Sequence, residues 1–368
     1  FKVADYLIGA QAQAAGAAPS LAGPPARLQP LDTRGDGSPL RSLWTLARAL
    51  GRLARARLDG EVAGVHVNMA ERLSLARKSV VIVACRLLGV PVVLHLHAAQ
   101  LHRAWPRLPA PARALVRWVF SLPRACIVLG RQSADFVTRA LGVPEARVEV
   151  VTNGVPAPAL VRQRPDADGL RLLFAGNLSD RKGLPELLQA MAHPALAGLP
   201  VTLTVAGGGD VAHYRAMADQ LGLDDRIRFA GWTEAPRLMA LMAQADALVL
   251  PSHDEGLPLV VLEALALGLP VVCTPVGEIP DHLQDGRHAC FAPPGDAAAL
   301  ARVLARVLGD AALRQRLALE GRALWQREFS MDRFFARIAA VHARCFGVSA
   351  TLPVPRRRDA GAGLEEAA

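Results

Sequence analysis

From Ala63 onward, short runs of β-branched and other apolar residues alternate with longer stretches whose apolar positions recur every three or four residues. That alternation is the mark of βαβ units, in which a strand buried on both faces is followed by a helix packed on the sheet. In the first half it predicts strands at 27–31, 64–68, 92–96, 125–129 and 148–151. The helices between them are predicted at 3–15, 40–57, 72–88, 110–121 and 131–141. The stretch 153–169, rich in Pro and Gly turn signals, reads as an interdomain linker, after which the pattern restarts. Strands are then predicted at 170–175, 201–206, 227–229, 247–250, 270–273 and 289–291, with a helix at 259–267 among the intervening ones. Amphipathic helices at 296–308, 311–327 and 331–345 follow, and the Pro- and Arg-bearing tail 349–368 is expected to be disordered. The fold class is therefore α/β: two Rossmann-like, doubly wound domains, 1–152 and 170–330, facing a cleft at the carboxyl ends of their strands. The helix near 331–346 is expected to return to complete the first domain.

Composition narrows the class. A chain of 368 residues with 52% hydrophobic and 20% charged residues has enough apolar content for two cores. Its most apolar stretch, 80–99, is interrupted by Arg86, Pro91, His95 and His97, so no lipid-spanning helix is expected. The five cysteines are scattered without a Cys-x-x-Cys pair, which points to a reduced, cytoplasmic protein. The chain opens on Phe1 without a signal-peptide pattern and reads as a fragment rather than an exported precursor. Residues 1–150 carry 20 Lys and Arg against 9 Asp and Glu, a net of +11, whereas the remainder carries 22 against 24. An anionic membrane, a polyprenyl-phosphate substrate or an Arg-rich composition each explain that asymmetry. No compact basic motif with interleaved aromatics argues for nucleic acid as a partner.

Two strings carry candidate chemistry. In Pro251-Ser-His-Asp-Glu-Gly-Leu-Pro-Leu-Val-Val-Leu-Glu263, a strand ends and a helix begins between two carboxylates, Glu255 and Glu263. Both can project toward the strand-end cleft. Gly256 admits close backbone approach, and the amides of Leu257, Leu259 and Val260 around Pro258 form an anion site at the helix start. The competing reading makes Glu255 a helix-start acid and Glu263 an incidental surface residue. In Phe174-Ala-Gly-Asn-Leu-Ser-Asp-Arg-Lys-Gly183, a strand ending at Gly176 is followed by Arg181 and Lys182, a cation pair suited to a diphosphate. Its bland alternative is a solvated loop pair.

The order of these strings resembles the retaining family 4 glycosyltransferases of GT-B fold. The resemblance runs through Arg181-Lys182-Gly183, Ala206-Gly-Gly-Gly209, Phe229-Ala-Gly-Trp232, Glu255 to Glu263 and Val276-Gly-Glu-Ile-Pro-Asp281, across the C-terminal half. His66-Val-Asn68, Ser74-Leu-Ala-Arg-Lys78 and Pro91-Val-Val-Leu-His-Leu-His97 are similar to members acting in surface or exopolysaccharide assembly. The resemblance implies that Arg181 and Lys182 hold the donor diphosphate, Glu255 the transferred sugar and Glu263 the ribose. Gly176 and Gly207 would border the donor, with Gly231 and Trp232 near its base. His97 would be the cleft-facing histidine; His95 would point the same way in a regular strand.

The implied reaction moves a sugar from a UDP- or GDP-sugar to a hydroxyl of a glycan or polyprenyl-linked acceptor, with retention. It needs no cofactor, and without a metal-ligand carboxylate cluster no metal is expected. Arg103, Trp105, Arg107, Arg113, Arg117, Trp118 and Phe120 mix cations and aromatics, as a segment resting on an anionic bilayer would, or as an ordinary helix packed on the sheet. Two departures from the family stand out. The opening strand and glycine-rich loop of the family are expected to be missing before helix 3–15, and Gly277-Glu-Ile-Pro-Asp281 replaces Gly-Gly-Ile-Pro-Glu, which leaves Glu278 without an assigned role. A nucleotide-sugar epimerase or hydrolase and a non-catalytic nucleotide-sugar binding protein are the competing functions.

Overall fold

The computed structural model describes residues 28–35, 39–70, 73–97, 101–162 and 169–348. The helix predicted at 3–15 and the tail 349–368 lie outside the described residues. Residues 28–31 form no strand, contrary to expectation. That short run, Leu-Gln-Pro-Leu, places Pro30 where a ladder would need an amide donor.

The described residues divide into two compact units, one formed by those up to Gly64 with those from Phe335 onward, the other by Val65–Phe334. The first unit contains α1 (Pro39–Leu58). Leu46, Ala49 and Leu53, three and four residues apart, are its buried stripe. Arg41, Arg48, Arg52, Arg55 and Arg57 are exposed, and the helix has no acidic residue.

The second unit holds two parallel sheets. One has the order β1 (Val65–Met69), β2 (Val92–Leu96), β3 (Ala125–Val128), β4 (Val148–Val150). Between them run α2 (Leu73–Leu87), the short α3 (Leu101–Ala104), α4 (Ala110–Ser121) and α5 (Arg131–Asp135), which continues as a π-turn over Phe136–Ala140. The other sheet contains β5 (Leu170–Ala175), β6 (Val201–Ala206), β7 (Ile227–Gly231), β8 (Ala247–Leu250), β9 (Val271–Cys273) and β10 (Cys290–Phe291). Its spatial order is β10-β9-β8-β5-β6-β7. The chain thus builds outward from β5 through β6 and β7, then returns to lay β8 on the opposite side of β5. The crevice at the carboxyl ends of β5 and β8 is the topological switch point, where open α/β sheets bind ligands. β8 and the last four residues of β5 are apolar and buried on both faces, as a sheet covered on each side by helices requires. All five cysteines are buried. No helix among the described residues is long and apolar enough to cross a membrane.

Candidate functional site

The switch point brings the two strings together. After β5, residues Asp180–Lys182 make one 3-10 turn that Gly183 closes in the left-handed region at φ +69°. A Cβ there would stand 2.0 Å from the Pro251 carbonyl oxygen, so only glycine lets this turn lie against the end of β8. Gly207 plays the same part between β5 and β6, since a Cβ would meet the Gly176 carbonyl oxygen at 1.7 Å.

With the turns so placed, Lys182 Nζ donates to Glu255 Oε1 at 2.5 Å, and Ser252 Oγ donates to the same oxygen at 2.7 Å. Arg181 Nη1 lies 4.0 Å from Glu255 Oε2 and donates to the Asp254 carbonyl at 2.6 Å. Thr274 Oγ1 in turn donates to the Ser252 carbonyl at 2.5 Å, tying the loop after β8 to the end of β9. The Glu255 side chain is buried and Lys182 is half-buried, with 12% of its side chain exposed, whereas Arg181 keeps 40%. The solvated-pair alternative therefore fails for Lys182, whose charge is met inside the protein, and holds in part for Arg181. Tyr214 donates to Asp180 Oδ1 at 2.8 Å, and burial, together with that acidic partner, pushes its hydroxyl up to about 12.

The helix after Glu255, α10 (Leu259–Leu267 in chain order after α6, Leu184–Ala192; α7, Pro194–Ala197; α8, Val211–Gln220; and α9, Ala235–Gln244), starts at Pro258 without a side-chain cap. Its first amide bonded back into the turn is that of Val261, to the Pro258 carbonyl at 3.1 Å. The amides of Leu259 and Val260 precede it at the positive end of the helix dipole. Glu263 is buried in the middle of α10, within a run from Val261 to Leu267 that is buried throughout, so it is no incidental surface residue. Leu257, two residues after Glu255, is also buried, and the Gly256 carbonyl accepts from the Glu278 amide at 3.1 Å. At the outer edge of the sheet Gly231 takes φ +67° and presents Trp232, which is 81% exposed. A Cβ on Gly208 would touch the indole at 3.4 Å, so the glycine turn after β6 and Trp232 adjoin.

In the other sheet β1 and β2 place Asn68 beside His95 in register. His95 is fully enclosed, with Nδ1 3.3 Å from His66 Nε2. His97, one residue beyond the strand, is half-buried, and its Nε2 lies 3.0 Å from Asn68 Oδ1. The two rings lie 4.0 Å apart, on the same side of the strand as expected, but His97 is the one at the sheet's carboxyl edge. Burial pushes the His97 imidazole down to about 4, so it is neutral at physiological pH.

Three sets of contacts join the two sheets. Arg103 donates through Nη2 to the His253 carbonyl at 3.1 Å, with its Nε 3.5 Å from Asp254 Oδ2. Asn153 Nδ2 donates to the Leu257 carbonyl at 3.1 Å. The third set runs between 129–133 and 278–282. The Ser133 amide donates to Glu278 Oε1 at 2.9 Å, as does the Ser133 hydroxyl, while the Gln132 amide donates to Oε2 at 3.2 Å. The Arg131 amide donates to Asp281 Oδ2 at 2.7 Å, and His282 Nε2 lies 3.1 Å from the Leu129 carbonyl oxygen. Burial, the largest cause, and the neighbouring Asp281 raise the Glu278 carboxyl above the usual range, against the lowering effect of Ser133.

Residues 103–120, expected either to rest on a bilayer or to pack on the sheet, are partly packed. Trp105 and Phe120 are buried, Arg117 stacks over the Trp105 ring at 5.4 Å, and Arg103 points to the loop after β8. Arg103 and the Trp105–Arg107 turn belong to one helical stretch and Arg113 to Phe120 to α4; Trp118 remains exposed. Arg103, Ser252, Glu278 and Asp281 were not singled out as site residues, because nothing in their spacing reveals a partner from 22 to 150 residues away. A glycine directly before Glu278 was the one available signal. Among the described residues no cluster of three or more His, Cys, Asp or Glu side chains is placed to hold a metal ion. A cavity of about 340 Å³ at the amino ends of β5 and β6, lined by Arg171 and Arg226, lies at the opposite edge of the sheet from these groups. Arg226 is committed there to the carbonyls of Val201, Met191 and Leu196.

Comparison with known proteins agrees with this architecture. The family described as Glycosyltransferase Family 4 matches residues 9–157, and Glycosyl transferases group 1 matches residues 161–324. A glycogen synthase of Mycobacterium tuberculosis is 30% identical over 262 residues, covering 69% of this chain and 63% of that protein. The amylovoran biosynthesis glycosyltransferase AmsK of Erwinia amylovora is 28% identical over 214 residues, 56% of this chain and 53% of the relative. The chain thus spans less than two thirds of the length of these relatives. Among solved structures, HepE of Anabaena in complex with UDP and glucose superposes with a TM-score of 0.67 at 19% identity, covering 84% of each chain. At that identity the likeness concerns the fold, which is GT-B.

Proposed function

Taking as its premise that the chain belongs to the group 1 and family 4 glycosyltransferases, we propose that it moves a sugar from a UDP- or GDP-sugar to a hydroxyl of a lipid-linked or growing glycan, with retention and without a metal. The observation that carries this reading is the convergence of Arg181, Lys182 and Glu255 at the switch point between β5 and β8. The HepE structure contains UDP and glucose, which supports a nucleotide sugar as donor, and amylovoran assembly by AmsK supports a polysaccharide as product.

In this reading the chemistry is mainly electrostatic. As the glycosidic bond to the nucleotide breaks, negative charge builds on the diphosphate, and Arg181, Lys182 and the first amides of α10 stabilise it. Glu255, fixed by Lys182 and Ser252, is an acceptor for hydroxyls of the transferred sugar. Glu263 holds the ribose, Trp232 offers its exposed ring to the base, and Gly176, Gly207 and Gly256 keep the backbone low beneath the donor. His97, neutral, hydrogen-bonds the sugar or phosphate from the other sheet. A carboxylate as tightly paired as Glu255 is a poor nucleophile or base, so the residues position the donor while the leaving phosphate takes the acceptor proton.

The test is a panel of UDP- and GDP-sugars, scored by nucleotide release with and without an acceptor glycan and with and without EDTA. Acceptor-dependent release by one donor class, unaffected by EDTA, is expected. Release independent of acceptor would favour a hydrolase or epimerase, binding without release a silent partner, and loss in EDTA a metal. A lipid-linked acceptor also calls for an anionic bilayer surface. The acid-free, arginine-bearing face of α1, with Leu43 and Trp44 exposed, suits it better than residues 103–120. Binding to vesicles containing anionic lipid, lost with Arg48→Glu and Arg52→Glu together, is the corresponding check.

A further inference from the structure

The contacts of Glu278 are not accounted for by donor binding. On its main-chain side the residue belongs to the donor loop. Its amide donates to the Gly256 carbonyl at 3.1 Å, and Gly277, at φ +60°, lies so close to Glu255 that a Cβ would stand 2.0 Å from the Glu255 carbonyl oxygen. On its side-chain side it belongs to the other half. The buried carboxylate collects the Gln132 amide, the Ser133 amide and the Ser133 hydroxyl, the first donors of α5. Gly130 is needed for this approach, since a Cβ there would meet Glu278 Oε2 at 2.2 Å. One residue therefore links the main chain around Glu255 to the first turn of a helix in the histidine-bearing half. Asp281 and His282, on the next turn of the same segment, reinforce the link at Arg131 and Leu129.

We propose that Glu278 is a positioning residue for the transfer: its carboxylate sets the register between the half that holds the donor and the half that carries His97, without touching either substrate. A buried carboxylate with three donors resists being pulled away, because each lost bond leaves a charged oxygen or a helix amide unpaired. The seam is stiff at this point, and reacting groups supplied by opposite halves are sensitive to small offsets, a misplacement of about 1 Å costing up to about a hundredfold in rate.

This inference rests on the transferase reading, and the experiment separates the two. Glu278→Gln places an amide NH2 against the α5 donors, and Ser133→Ala removes only the hydroxyl. In the full chain, with the donor found by the panel above, Glu278→Gln is expected to lower kcat about tenfold, with donor affinity within twofold of the parent. Ser133→Ala is expected to lower kcat about threefold, and the double variant no more than Glu278→Gln alone. Spin labels on cysteines introduced at the exposed Arg86 and Gln315 should give a broader distance distribution in Glu278→Gln than in the parent. Unchanged kcat with an unchanged distribution overturns the proposal, as does a loss confined to donor affinity, which would make Glu278 part of the donor site. If Glu278→Gln does not fold, Ser133→Ala carries the same two readouts. If the parent transfers nothing, the transferase reading fails, and the distance measurement still decides whether Glu278 holds the halves in register.

Discussion

The two sheets of the Val65–Phe334 unit solve the same problem, presenting polar groups at strand ends, in opposite ways. The six-stranded sheet does it with charge. Lys182, Arg181 and Glu255 face one another across β5 and β8, closed in by glycine turns that admit no side chain. The four-stranded sheet does it with neutral groups, an uncharged His97 set against Asn68 beside the enclosed His95. On the proposed reading, the difference separates binding from fine placement. Charge at a switch point can hold an anion, whereas a neutral imidazole can only direct a hydrogen bond.

The comparison breaks most sharply in activity. Lys182→Ala should lower kcat/KM by about a hundredfold to a thousandfold, the usual loss when one charge-stabilising donor is removed. His97→Ala should cost about tenfold, the size of one neutral hydrogen bond. Comparable losses from both would mean that the halves share the electrostatic work. Because Lys182→Ala leaves Glu255 buried without its cation, thermal melting should accompany the rates.

Glycine replacement tests the tightness of the two halves. Gly183 and Gly142 both have left-handed φ, +69° and +75°, but a Cβ at Gly183 collides with the Pro251 carbonyl whereas one at Gly142 meets nothing within 4 Å. Gly183→Ala should cost about 3 kcal/mol or more and Gly142→Ala about 1 kcal/mol, read by urea denaturation. Equal costs would show that the turn at Lys182 relaxes.

Acid gives the smallest effect. Because the folded pKa of His97, about 4, lies below the unfolded value near 6.5, the unfolded chain takes up its proton first as pH falls. Stability from this group is full above pH 6.5 and declines between about 6.5 and 4. Allowing for partial exposure, about 1 to 2 kcal/mol is at stake. His97→Gln should flatten that part of the stability curve between pH 7 and 4.5; an unchanged slope would place the acid sensitivity elsewhere.

How far the amino-acid pattern foretold this follows from the same contrast. Runs such as 170–175, 201–206 and 247–250 became strands with the predicted ends, because central parallel strands are apolar on both faces and stop abruptly at glycine or proline. The strand end at Gly176 was visible for the same reason. What periodicity could not show was partnership. Arg103 looked like a surface cation until the fold set it on the loop after β8, and Glu278 looked like a departure from the family until Ser133, 145 residues away, came to meet it. At 27–31 an apolar pair beside Pro30 imitated a strand without the donors to join a ladder. Residues 103–120 read as one segment because sequence spacing does not reveal the break at Leu108, after Trp105–Arg107.

The pairing of Lys182 with Glu255 also bears on which anions the protein ignores. Any diphosphate must take Lys182 over from a carboxylate already in contact with it, so capture is an exchange of counter-ions rather than the filling of a positive hole. On the proposed reading, a sugar diphosphate would compensate both parties, its phosphates engaging the lysine while its hydroxyls gave the displaced carboxylate new donors. Orthophosphate or sulfate can satisfy the lysine alone and would leave Glu255 stranded. On that account abundant simple anions would be weak competitors, and discrimination would be built into the resting arrangement of the side chains.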